Sequence, residues 1–105
     1  MSTFDDRGDA FENKYAHDAQ LQFKVEARRN KLLGLWAADL LGKSGDDADA
    51  YAIEVVKSDF EEAGDEDVYR KVSGDLGDKA SEAEIRNQMT QLMAEAKKQI
   101  MDETE

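Results

Sequence analysis

The chain is 105 residues long, with no Cys, no Pro and a formal net charge of −11. That length fits one small domain, the lack of Cys excludes disulfides and thiolate metal sites, and the lack of Pro suits long uninterrupted helices. The acidic balance argues against binding nucleic acid, no apolar run approaches the ~20 residues that span a bilayer, and the start MSTFDDRGD lacks the basic and apolar regions of a secretory signal, so a cytoplasmic address is expected.

The first segment carries apolar residues at helical spacing. Leu21, Val25, Leu32, Trp36 and Leu40 form one row, Leu33, Ala37 and Leu41 lie beside it, and Gly42 is a natural stop. Read backwards, the pattern continues through Tyr15 and Phe11 to Phe4. Charge is unevenly placed: residues 1–31 hold six bases and six acids, so the whole negative excess lies after Lys31. A single helix over 4–41 would be about 57 Å long at ~1.5 Å per residue, while the later long helices reach only about 30 Å on the same rise. The half over 32–41 is the more apolar and is expected to take the core, with Trp36 in it. Residues 4–19 are left as a neutral overhang whose aromatics have no obvious cover.

The expected architecture is therefore all-α: a four-helix bundle-like domain over 20–105, with a long first helix and a mobile N-terminal arm over 1–19. Gly8 lowers the helix propensity of the arm by roughly 1 kcal/mol against Ala, so the arm is expected to be partly disordered when free; it is a candidate for folding on a partner, the alternative being a frayed terminus with incidental aromatics. Arg28 and Arg29, in EARRNK, can pair either with acidic helices of the same domain or with a partner's carboxylates.

Three further helices follow. Ser44 and Asp47 read as an acidic variant of the capping box, followed by the stripe Ala48, Tyr51, Ala52, Val55, Val56 and Phe60, with Gly64 as the stop. A shorter helix begins after Asp65 and buries Val68, Tyr69, Val72 and Leu76. Gly74 and Gly77 weaken its second half, so it is expected to fray before Lys79. Ser81 and Glu84 make a full capping box for the stripe Ile85, Met89, Leu92, Met93, Ala96 and Ile100. Lys97 and Lys98 are placed in its last turns, where positive charge suits the helix dipole.

No catalytic set is visible, so the protein is expected not to be an enzyme and to carry no cofactor. AADLLGKS fits a loose phosphate-loop pattern, but Ala37 replaces the first Gly and a helix precedes it where a strand is required. Its simpler reading is a helix stop, a linker and a cap. The start of the following helix still has the anion affinity of any helix N-terminus, so a small nucleotide-sensing helical module is the alternative function. DEDVYRKVSGDL lacks the Gly and the terminal Glu of a calcium loop, and one His without Cys makes no zinc site without several carboxylates. His17 reads as a solvent-facing residue of the arm.

FDDRGDAFENKYAHD, followed by EARRNKLLGLWAADLLG, resembles the ATPase-inhibitor ζ family of α-proteobacterial F-type ATP synthases. AYAIEVVKSDFEEAGDEDVYRKVSGDL and SEAEIRNQMTQLMAEAKKQI are similar to the same family, so the resemblance covers nearly the whole chain. It implies a four-helix domain with a mobile inhibitory arm, acting as a non-enzymatic regulator that blocks ATP hydrolysis by the F1 sector. It implies insertion of the arm at a catalytic α/β interface beside the γ stalk, so that the partners are the F1 α, β and γ subunits. The protein would be a monomer when free and peripheral on F1 at the inner membrane when bound. The matching arm residues are Phe4, Asp5, Asp6, Arg7, Phe11, Glu12, Lys14, Tyr15, His17 and Asp18; Gly8 and Asp9 depart from the family start.

Overall fold

The helix expected to run unbroken over 4–41 is two helices, α1 (Thr3–His17) and α2 (Ala19–Leu40). The computed structural model describes residues 3–59 and 65–104, and the side chains of 10–59 and 65–103. The break is at Asp18, whose backbone is extended and whose carboxylate accepts hydrogen bonds from the amides of Gln20 at 3.0 Å and Leu21 at 3.1 Å. An Asp in this position satisfies two of the amides that a helix start leaves free. The chain turns there, which brings Phe11 of α1 against Leu21 and Val25 of α2. The longest extent of the molecule is 47 Å, shorter than the straight helix of about 57 Å that the apolar period suggested.

The remaining elements are α3 (Gly45–Ser58), α4 (Glu66–Leu76), a single 3-10 turn (Gly77–Lys79) and α5 (Glu82–Thr104). The described residues contain no strand and no helix long and apolar enough to cross a membrane. α2 is the central element, packed chiefly on α3 and then on α5. Its end is as expected: Gly42 takes a φ of 79° and the Lys43 amide returns to the Ala38 carbonyl at 2.8 Å. α4 holds to Leu76, and Gly77, with a φ of 55°, closes it.

The two capping boxes fare differently. Ser81 and Glu84 bond reciprocally, Glu84 N–H to Ser81 Oγ at 3.1 Å and Ser81 N–H to Glu84 Oε1 at 3.3 Å. Ser44 holds the N-cap position of α3, but its hydroxyl makes no cap bond. Lys97 and Lys98 are not in a last turn, because α5 continues to Thr104. Phe60 and Gly64, placed in the second stripe and at its stop, lie outside the described residues.

The core has two parts. The larger joins Leu33 and Ala37 of α2 to Tyr51 and Val55 of α3, Val68 and Val72 of α4, and Ile85 and Met89 of α5. The smaller joins Phe11 of α1 to Leu21, Val25, Ala96 and Ile100. The buried row of α2 is thus Leu21, Val25, Arg29, Leu33 and Ala37, four residues apart along one face. Leu32 and Trp36 are only half-buried, and Leu40, expected in the core row, is at the surface. Gly34 sets the contact of α2 with α3: a Cβ there would lie 2.6 Å from the Cα of Ala52.

Candidate functional site

Two of the aromatics of α1, Phe11 and Tyr15, lie against the protein's own body. Phe11 is only 9% exposed and packs with Leu21, Val25, Ala96 and Ile100. At Phe11 and Tyr15 the expected overhang therefore has cover in this conformation, because the turn at Asp18 brings these two residues onto α2 and α5. Tyr15, half-buried, packs at the edge of the same cluster with Leu32, Met93 and Met101.

Lys97 of α5 holds this face from the other side. Its ammonium lies 3.6 Å from Glu12 Oε2 and 4.5 Å from the centre of the Tyr15 ring. A cation over an aromatic face and beside a carboxylate is attracted by both. The Tyr15 carbonyl also accepts a bond from Gln22 Nε2 at 2.8 Å, which ties the end of α1 to the first turn of α2. Burial, then the Glu26 and Glu12 carboxylates, hold the Tyr15 phenol above its ordinary pKa. Between α1 and α5 a cavity of about 550 Å³ remains, lined among others by Phe11, Glu12, Met93, Lys97 and Met101. The packing of α1 is thus incomplete on this side.

The other arm residues divide by position. Lys14 and His17 are exposed, Glu12 is exposed apart from its contact with Lys97, and Asp18 is spent on the cap. Phe4, Asp5, Asp6 and Arg7 have helical backbone in α1, and their side chains lie outside the described residues. Lys97 and Gln22 were missed by sequence reasoning. Lys97 interrupts an apolar row, Met93 to Met101, at the four-residue spacing of a helix face, and that interruption was the available signal.

Beneath the dock lies a buried polar group. Arg29, 2% exposed, donates from Nε to Asn30 Oδ1 at 2.7 Å and from Nη2 to Asp65 Oδ1 at 2.7 Å. Arg28 instead reaches α5, donating to Gln99 Oε1 at 2.8 Å and to both carboxylate oxygens of Glu103. Both arginines of EARRNK therefore pair within the chain. Burial, reinforced by neighbouring carboxylates, raises the carboxyl pKa values of Glu26 and Asp59.

The other candidate places are less developed. Residues 42–44 join two helices, and the nearby cleft is lined by Glu54 and Asp75 as well as Lys43 and Lys71. Lys71 is already paired with Asp75 at 2.9 Å, and Asp75 also accepts from Tyr51 Oη at 2.9 Å. Asp65 pairs with Arg29, Asp67 accepts from the Val68 amide, and the described residues contain no group of three or more side chains able to hold a metal.

A family model described as ATPase inhibitor subunit zeta matches residues 1–99 of the chain. No curated protein matches it. A structure solved by solution NMR is similar at 69% identity, covering 79% of this chain and 98% of its own, with a TM-score of 0.75.

Proposed function

Because the chain belongs to the ATPase inhibitor subunit zeta family, a family of non-catalytic regulators of the ATP synthase, we propose that α1 is the inhibitory element and that it works by leaving its dock. The arm, residues 1–19, would separate from α5 at the Asp18 turn and insert at a catalytic α/β interface of F1 beside γ. Phe11 and Tyr15 exchange one apolar cover for another. Glu12 exchanges Lys97 for a partner base, and Lys14 meets partner carboxylates. Phe4, Asp5, Asp6, Arg7, His17 and Asp18 complete the inserted segment. The protein binds as a monomer and sits on the F1 sector at the inner membrane, where it slows ATP hydrolysis.

The observation that supports this reading is the state of the aromatic face. Two anchors of the type that fill partner grooves are held on a short helix by a shallow contact with a cavity beside it. Burial of a Phe contributes about 1.5–3 kcal/mol, and the exposed ion pair about 0–1 kcal/mol, so the dock is weak enough for a partner to outcompete. A helix already formed in the dock also lowers the ordering cost of binding.

The test is ATP hydrolysis by the cognate F1 with the full chain and with a chain lacking residues 1–19. The full chain should inhibit and the shortened one should not, while its circular dichroism stays helical. Equal inhibition by both would place the effector in the body and refute the reading.

A further inference from the structure

The outer face of α2, away from the buried row, is unlike the rest of this acidic molecule. Phe23 is 52% exposed there, and Lys24 and Lys31 are exposed beside it. A groove of about 450 Å³ runs beside them, with Ala27 of α2, Val56 of α3 and Ile100 of α5 as its apolar lining. The one carboxylate on its rim is Glu103, which Arg28 already holds with two hydrogen bonds, a bidentate pairing that offsets its charge. Lys24 also acts on the Glu103 charge, so Lys24, Arg28 and Lys31 against the single carboxylate leave the groove a net of two positive charges.

We propose that this groove docks an acidic amphipathic helix of a partner protein, its carboxylates on Lys24 and Lys31 and an apolar side chain between them over Ala27, Val56 and Ile100. The spacing supports a helix. Lys24 and Lys31 are about 10 Å apart along α2 at ~1.5 Å per residue, and carboxylates two turns apart on a second helix repeat that distance. The charge supports an acidic partner, because the groove keeps a net of two positive charges on a chain of net charge −11. The acidic remainder does not forbid it, since charges more than about 8 Å apart are largely screened at physiological salt. The apolar lining by Ala27, Val56 and Ile100 favours a protein helix over a phosphate chain, which has nothing to place there. The site lies on α2, α3 and α5, so it operates whether or not α1 inhibits F1.

The probe is a short helical peptide with Glu at i and i+7 and Leu at i+4, titrated into the ¹⁵N-labelled full chain. Amide shifts should centre on Phe23, Lys24, Ala27, Lys31 and Val56, and rising salt should weaken them. The double variant K24E/K31E, which changes only exposed side chains, should weaken binding by about tenfold or more with its spectrum otherwise native. The proposal is overturned if the peptide causes no shifts, if the shifts lie elsewhere, or if a control peptide with Lys in place of Glu binds equally well. Shifts at the same residues on raising protein concentration alone would put a second copy in the groove and also overturn it. The assay contains no F1, so its failure is separate from failure of the inhibitory reading.

Discussion

Lys97→Glu removes the attachment of α1 without touching the arm itself. The variant loses an exposed pair with Glu12 at 3.6 Å and a contact over the Tyr15 ring at 4.5 Å. The first contributes about 0.5 kcal/mol at such exposure, and the second about 0.5–1 kcal/mol. Together they come to about 1–1.5 kcal/mol, and 1.4 kcal/mol is about tenfold in an equilibrium constant. The ratio of docked to released α1 should thus fall by about fivefold to tenfold, with repulsion from Glu12 adding to the loss. Amide hydrogen exchange over residues 10–17 reads this directly, and it should speed up by that factor while Val25, Val55 and Ile85 keep their protection. If docking competes with F1 binding, the same variant should inhibit at lower concentration. Unchanged exchange in α1 would refute the role given to Lys97.

Three other outcomes follow from particular contacts. Gly34→Ala would drive a Cβ to 2.6 Å from the Cα of Ala52; overpacking costs about 1–3 kcal/mol against a propensity gain of up to about 1 kcal/mol, so the melting temperature should fall. Arg29→Ala takes the buried guanidinium from Asn30 and Asp65 and should lower stability in urea by about 2–3 kcal/mol, with Arg29→Met less harmful. Burial, then Asp59 and Asp65, raise the Glu26 pKa, so the folded state holds the Glu26 proton more tightly than the unfolded chain does. The resulting stabilisation is complete below the unfolded carboxyl pKa and is lost as pH rises through the folded value. Glu26→Gln should therefore raise the urea midpoint at neutral pH and leave it unchanged at acid pH, where the carboxyl is protonated in both states.

Much of the body was legible because local chemistry and tertiary packing agree there. The stripes of α3, α4 and α5 are continuous at helical spacing, and Gly42 and the Ser81–Glu84 box sit where backbone groups need them. The break at Asp18 was passed over in the hydrophobic period, although Phe11 to Tyr15 and Leu21 to Val25 are steps of four while Tyr15 to Leu21 is a step of six, off the helical spacing. The cap was also written in the residues: an Asp followed by helix formers is a start signal in its own right. Phe11 and Tyr15 stood out as apolar positions for the same reason that the stripes did. Their cover did not, because Lys97, Ala96 and Ile100 come from the far end of the chain and no local pattern encodes that pairing. Arg29 shows the same limit, its charge satisfied by Asp65 across the fold.

The central claim is that α1 leaves α5 when the protein engages F1, and a distance between them tests it most directly. The chain has no Cys, so spin labels can be placed on cysteines introduced at the exposed Asn13 and Lys98 and the distance read by pulsed electron resonance. The free protein should give one short distance, matching α1 on α5, and addition of F1 should replace it with a longer one as ATP hydrolysis stops. A short distance that persists while hydrolysis is inhibited would contradict the release of α1.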